Sequence, residues 1–146
     1  MPLTITVTDA LRTDGEKRVE VSARHLEDAR LVLAYAEDLM WTRGRQAAEF
    51  NESRWPAGDR LHVIVNDASA LLADPASRDR ATSIAHWGSA FDVVLTLRFR
   101  ADDIACDERG RWWHPTLAAF GGSTALRTLA FLGRVTVEVV DPSAAS

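Results

Sequence analysis

Leu61-His62-Val63-Ile64-Val65-Asn66-Asp67 is the stretch that decides the fold. Four of its first five positions are apolar, and the polar pair Asn66-Asp67 closes the run. A near-continuous apolar segment of strand length predicts an inner strand of a parallel sheet, covered on both faces. Downstream, Asp74-Pro75 supplies a cap followed by proline at the first helical position, so a helix is predicted over residues 76–90. Val93-Val94-Leu95-Thr96-Leu97 repeats the buried-strand pattern. Further on, Phe120-Gly121-Gly122-Ser123 precedes a helix predicted over 124–132 and closed by Gly133, and residues 135–140 read as a last strand. Upstream, Leu26, Ala29, Leu33, Ala36 and Met40 recur at helical spacing. Ser22 is placed to cap a helix running from Ala23 to about Trp41, with an interruption expected at Gly44 and a continuation to Phe50. Residues 3–8 and 18–21 alternate apolar and polar around Asp14-Gly15, the pattern of a β-hairpin. Residues 51–59 and 101–115 read as irregular. Strands alternating with helices imply an α/β domain, with a parallel or mixed central sheet, flanking helices in three layers and an N-terminal β-hairpin.

The 146 residues suit one domain, able to bury about 70% of the unfolded surface. With 47% hydrophobic and 26% charged residues the composition is globular. No apolar run approaches the roughly 20 residues of a membrane span, and no signal-peptide order is read at the start, so a cytoplasmic protein is expected. A single cysteine, Cys106, excludes an internal disulfide. The net charge of −4 disfavours unaided DNA binding, because phosphate neutralisation supplies most of that affinity.

Few positions carry chemistry. The single lysine, Lys17, follows Gly15-Glu16 and precedes Arg18, outside any G-x-x-x-x-G-K-[ST] loop, so the chain is not a self-sufficient P-loop NTPase. Phe120-Gly121-Gly122-Ser123 opens a helix, where anions bind, but two glycines and a serine more often make a tight turn and a cap. Asn66-Asp67 ends a buried strand, where α/β sheets gather ligands and nucleotide motors hold magnesium; an ordinary strand exit has the same composition. His62, His86, His114 and Cys106 lack zinc-ligand spacing, and Ser123 lacks a hydrolase setting. Asp102-Asp103 and Asp107-Glu108 read as solvated loop charges. Arg109, Arg111, Trp112 and Trp113 combine cations with aromatics, a pattern that stacks on bases, fills a partner's pocket, or covers the end of a core. Trp41, Trp55 and Trp87 are expected to pack internally.

Several segments resemble, in order, parts of one family. Residues 36–51 resemble the helix before the second acidic motif of FtsK/SpoIIIE-type DNA translocases, and Leu61 to Leu72 (LHVIVNDASALL) resembles their Walker B segment. Residues 81–90 (ATSIAHWGSA) and 92–98 (DVVLTLR) are similar to the helix and strand that follow. Phe120 to Val139 (FGGSTALRTLAFLGRVTVEV) is similar to a late stretch of the TraB-like motors of actinobacterial conjugative plasmids. The resemblance spans residues 30–140 and implies a RecA-like fragment. Residues 1–21 are then a hairpin addition to a single domain, 22–140 the translocase-like region and 141–146 a tail.

Departures from the family pattern fall on its catalytic positions. The Walker B aspartate corresponds to Asn66, the catalytic glutamate to Asp67, and the Thr-Gln sensor to Leu97 and Arg98. Without the phosphate loop, metal ligand and sensor, the resemblance implies no ATP hydrolysis and no cofactor. It implies instead an accessory role in plasmid transfer or spread through a DNA-translocase motor or transfer complex, with recruitment to the membrane by that partner. Two other classes stand beside it: a nucleotide-binding module completed by a partner, and a stand-alone module for toxin immunity or DNA adaptation.

Overall fold

A computed structural model describes residues 6–8, 17–50, 60–106 and 113–140. In chain order they form β1 (Thr6–Thr8), β2 (Lys17–Ser22), α1 (Leu26–Glu49), β3 (Leu61–Asn66), α2 (Ala68–Leu72), α3 (Pro75–Trp87), β4 (Val93–Arg100), β5 (Ile104–Cys106), β6 (Trp113–Pro115), α4 (Thr124–Phe131) and β7 (Thr136–Val140). The main sheet runs β1-β2-β3-β4-β7; β2, β3, β4 and β7 are parallel and β1 is antiparallel to β2. β5 and β6 pair separately. The domain is α/β with a four-stranded parallel sheet and flanking helices, as the alternation of buried strands and periodic helices predicts.

Register sorts the strand residues into two unlike faces. Val21, Val65, Leu97 and Val137 are successive partners across the sheet, as are Val19, Val63 and Leu95. These rows share one hydrophobic cluster with Leu33 and Met40 of α1, Leu71 of α2, Ile84 of α3 and Leu126 of α4. Alternation puts Arg18, His62 and Val94, then Glu20, Ile64 and Thr96, on the other side. Ile64 is 2% exposed yet belongs to no part of that cluster. The described helices therefore lie on one face, while Ile64 and Thr96 are buried on the other. The cause is topological: in a right-handed fold a strand order advancing steadily in one direction returns every crossover over the same side.

Local differences have local causes. β2, from the segment read as a hairpin, is an inner strand between β1 and β3. α1 begins at Leu26 rather than Ala23, because Ser22 stays in β2 and its hydroxyl accepts from Arg24 N (3.2 Å). Gly44 does not interrupt α1; it faces the Phe91 ring, from which a Cβ would stand 3.4 Å, at ordinary packing distance. The helix predicted over 76–90 is α3, which ends at Trp87 and passes into a 3-10 turn over Gly88–Phe91; the short α2 precedes it. Asp74 caps α3 as predicted, accepting from Ser77 N at 3.1 Å. Phe120-Gly121-Gly122-Ser123 is a turn and cap: both glycines have positive φ and the Ser123 hydroxyl accepts from Leu126 N (3.0 Å). Phe120 meets Phe99 edge-on, with centroids 5.1 Å apart, beneath that turn.

Candidate functional site

The carboxyl ends of β2, β3, β4 and β7 bring together the polar residues singled out by the sequence. Asp67 follows β3 directly, in the left-handed region (φ 54°, ψ 47°), at the head of α2. Arg24, just beyond β2, donates from Nε to Asp67 Oδ2 at 3.2 Å, and Arg100 Nε, at the end of β4, lies 4.0 Å from Oδ1. Below α2, Ser69 Oγ donates to Asp103 Oδ2 at 3.1 Å, and Asp103 also accepts from Arg100 N. Asp103 is thus a structural acceptor rather than a solvated loop charge.

On the face away from the described helices, Arg98 ties four strands together. Its Nη1 donates to Glu20 Oε1 of β2 (2.6 Å) and Asn66 Oδ1 of β3 (3.3 Å), and its Nε to Glu138 Oε2 of β7 (2.8 Å). Burial works against the guanidinium's charge, yet Glu138 and Glu20 outweigh it and hold its pKa above the ordinary value. β4 continues to Arg100, so Arg98 is an interior strand position rather than a strand end. Leu97, its neighbour, is buried against the helices. One pair further in, His62 Nε2 and Thr96 Oγ1 are 2.6 Å apart.

Arginine–carboxylate and arginine–amide pairs therefore close this edge. The strand order does not reverse among the described residues, so no crevice opens between crossovers diverging to opposite faces, the usual ligand seat of an open α/β sheet. Among the described residues no group of three or more His, Cys, Asp or Glu is placed to hold a metal. No described helix is long and apolar enough to cross a membrane.

The other sequence candidates are placed apart from this edge or lie outside the described residues. Arg109, Arg111 and Trp112 lie outside the described residues; the Trp113 backbone opens β6 opposite Cys106. Lys17 is an exposed residue at the start of β2, its N–H donating to Arg60 O at 2.8 Å. Trp41 and Trp87 do not pack internally: they are 39% and 48% exposed and face each other with ring centroids 6.4 Å apart. With Gly44, Arg45, Ala48 and Phe91 they line a hollow of about 480 Å³. The signal was present in the spacing, since Met40 belongs to the buried stripe of α1 and Trp41 falls one residue off it.

Sequence reasoning missed a second cluster, on α4. Arg127 Cζ sits 5.3 Å from the Phe131 ring centroid, and His114 of β6 meets that ring edge-on at 5.8 Å. Arg127 Nη2 lies 3.3 Å from His114 Nδ1, and that nitrogen is also 3.2 Å from Pro115 O.

Fold and edge together define a class: among the described residues, an α/β domain with four parallel strands, helices on one face and a sheet cross-linked by arginines toward its carboxyl end. No family model, curated protein or solved structure matches the chain.

Proposed function

We propose that the protein is a non-catalytic accessory factor of conjugative plasmid transfer or spread, a RecA-like fragment that acts by binding a DNA-translocase motor of the FtsK/SpoIIIE/TraB type or its complex. The observation that carries this reading is the state of the three positions aligned with motor chemistry. Asn66 accepts from Arg98, Asp67 is engaged by Arg24, and Arg98 is itself spent on Glu20 and Glu138. Side chains that in a motor would face nucleotide and magnesium are here engaged in hydrogen bonds and ion pairs within the chain. The ordered resemblance of residues 30–140 supplies the choice of partner.

Co-purification with the ATPase domain of a cognate motor of this type is the direct test, run without nucleotide and with ATP. Association in either state is expected, together with no heat of ATP binding to the isolated protein. Absence of association in both states overturns the proposal. ATP turnover abolished by Asp67→Ala overturns it in favour of a nucleotide-dependent enzyme.

A further inference from the structure

Charge is distributed unevenly along the chain. Residues 109–137 hold four arginines, one histidine and no acidic residue, so all 21 acidic residues and only 13 of the 17 basic ones lie elsewhere. Among the described residues, Arg127 and Arg134 of this stretch belong to one of two unlike edges of the helix layer. α3 packs against both α1 and α4 and separates them. On α1, Glu37 reaches Arg80 and Trp41 meets Trp87, which fixes the side turned to α3. Helical spacing then turns Leu31 and Tyr35 away from α3, flanked by Asp28 and Asp38. They are 68% and 62% exposed. On α4, Thr124, Ala125 and Thr128 face α3 across a shared hollow, which turns Phe131 and Arg127 to the opposite edge. Phe131 is 62% exposed, the neighbouring Leu132 68%, and Arg134 follows. One edge is thus an aliphatic and aromatic pair among carboxylates, and the other an aromatic and aliphatic pair among cations.

We infer that the protein self-associates head to tail, the α4 edge of one copy docking on the α1 edge of the next. Both halves of this interface are present in one molecule and complementary in charge as well as in apolar character. Because α3 separates the two edges, a two-fold pairing through either edge alone would bring Arg127 and Arg134 near their own copies, or Asp28 and Asp38 near theirs, which like-charge repulsion disfavours. Nucleic acid fits the α4 edge less well, because Phe131 already carries Arg127 on its ring and His114 at its side, and the whole molecule repels a polyanion. A heterologous contact does not exhaust itself at two copies, so assembly continues until a ring closes or a filament extends.

Sedimentation of the full chain at low salt, over a range of concentrations, tests this. The weight-average mass is expected to rise past that of a dimer, and to fall as sodium chloride goes from about 50 to about 500 mM. Phe131→Asp and Leu31→Asp are each expected to weaken association at least about tenfold. Both sites are mainly exposed, so unchanged circular dichroism and melting temperature verify the fold of each variant. The decisive sample is an equal mixture of the two. Each retains the edge the other lacks, so a one-to-one heterodimer that grows no further is expected. A wild-type monomer at every concentration overturns the inference, as does a dimer that neither grows nor re-forms in the mixture. A persistent monomer that binds phosphatidylserine vesicles through Phe131 also overturns it, assigning the edge to a membrane surface.

Discussion

Asp67 shows how one residue's backbone and side chain can serve different ends. A left-handed conformation costs a non-glycine residue on the order of 1 kcal/mol, least for Asp and Asn. The side chain recovers little of that, since Arg24 is largely exposed and surface pairs are worth about 0–1 kcal/mol. Asp67→Ala is therefore expected to be less stable than Asp67→Gly by about 1 kcal/mol, measured by urea unfolding. Gly121 is more demanding. Its φ of +67° is joined by contact with the Leu72 carbonyl oxygen, into which a Cβ would be driven. Gly121→Ala should cost about 2–4 kcal/mol, while Gly122→Ala, with nothing near its Cβ direction, costs about 1 kcal/mol. Arg98→Met leaves Glu20 and Glu138 without their shared cation. A loss of about 1–2 kcal/mol is expected, moderated because the Arg98 side chain keeps 24% of its exposure to solvent.

Among the elements, α3 has the most chemically defined start. Arg30 donates to both Asp74 oxygens (3.1 and 2.8 Å), and Ser77 donates through its hydroxyl (2.7 Å) and its backbone. Arg30 and Ser77 hold the Asp74 carboxyl at about 2, below its ordinary 3.8. Between those values the unfolded chain binds the proton and the folded one does not. The contribution is therefore complete above about pH 4 and lost as pH falls toward 2. The stability difference between wild type and Asp74→Asn should shrink from about pH 6 to about pH 2.5, read from urea midpoints. This cap was legible in the sequence because Asp-Pro is a local signal, and so were β3 and β4, as runs of β-branched and aliphatic residues. The side on which helices lie was not legible. Ile64 and Thr96 are as buried as the helix-side rows, and burial alone makes both faces read as covered. The Arg98 network was invisible for a related reason: it depends on the register of Glu20, Asn66, Arg98 and Glu138, which are scattered through the chain. The sequence singled out Asn66, Asp67 and Arg98 as positions, but only pairing gave them partners.

For the molecule as a whole, one hydrophobic cluster runs from Val21 to Val135 through strands and helices alike. Unfolding in urea is expected to be a single transition, with tryptophan fluorescence and far-ultraviolet circular dichroism superimposable. Separate midpoints would show that the helix layer and the sheet come apart independently. The steady strand order has a further consequence during synthesis. β2 and β3 can pair as soon as both have emerged, and β4 joins β3 once α3 has passed, each addition extending a sheet already present. The step from β4 to β7 is different, because β5, β6 and α4 intervene. Until β7 emerges, β4 is an open edge carrying Leu95, Leu97 and Phe99, the kind of apolar edge that recruits strands from other chains. A chain cut after Gly133 should accordingly aggregate on the ribosome's timescale, and the modest final strand acts as the guard that ends that exposure.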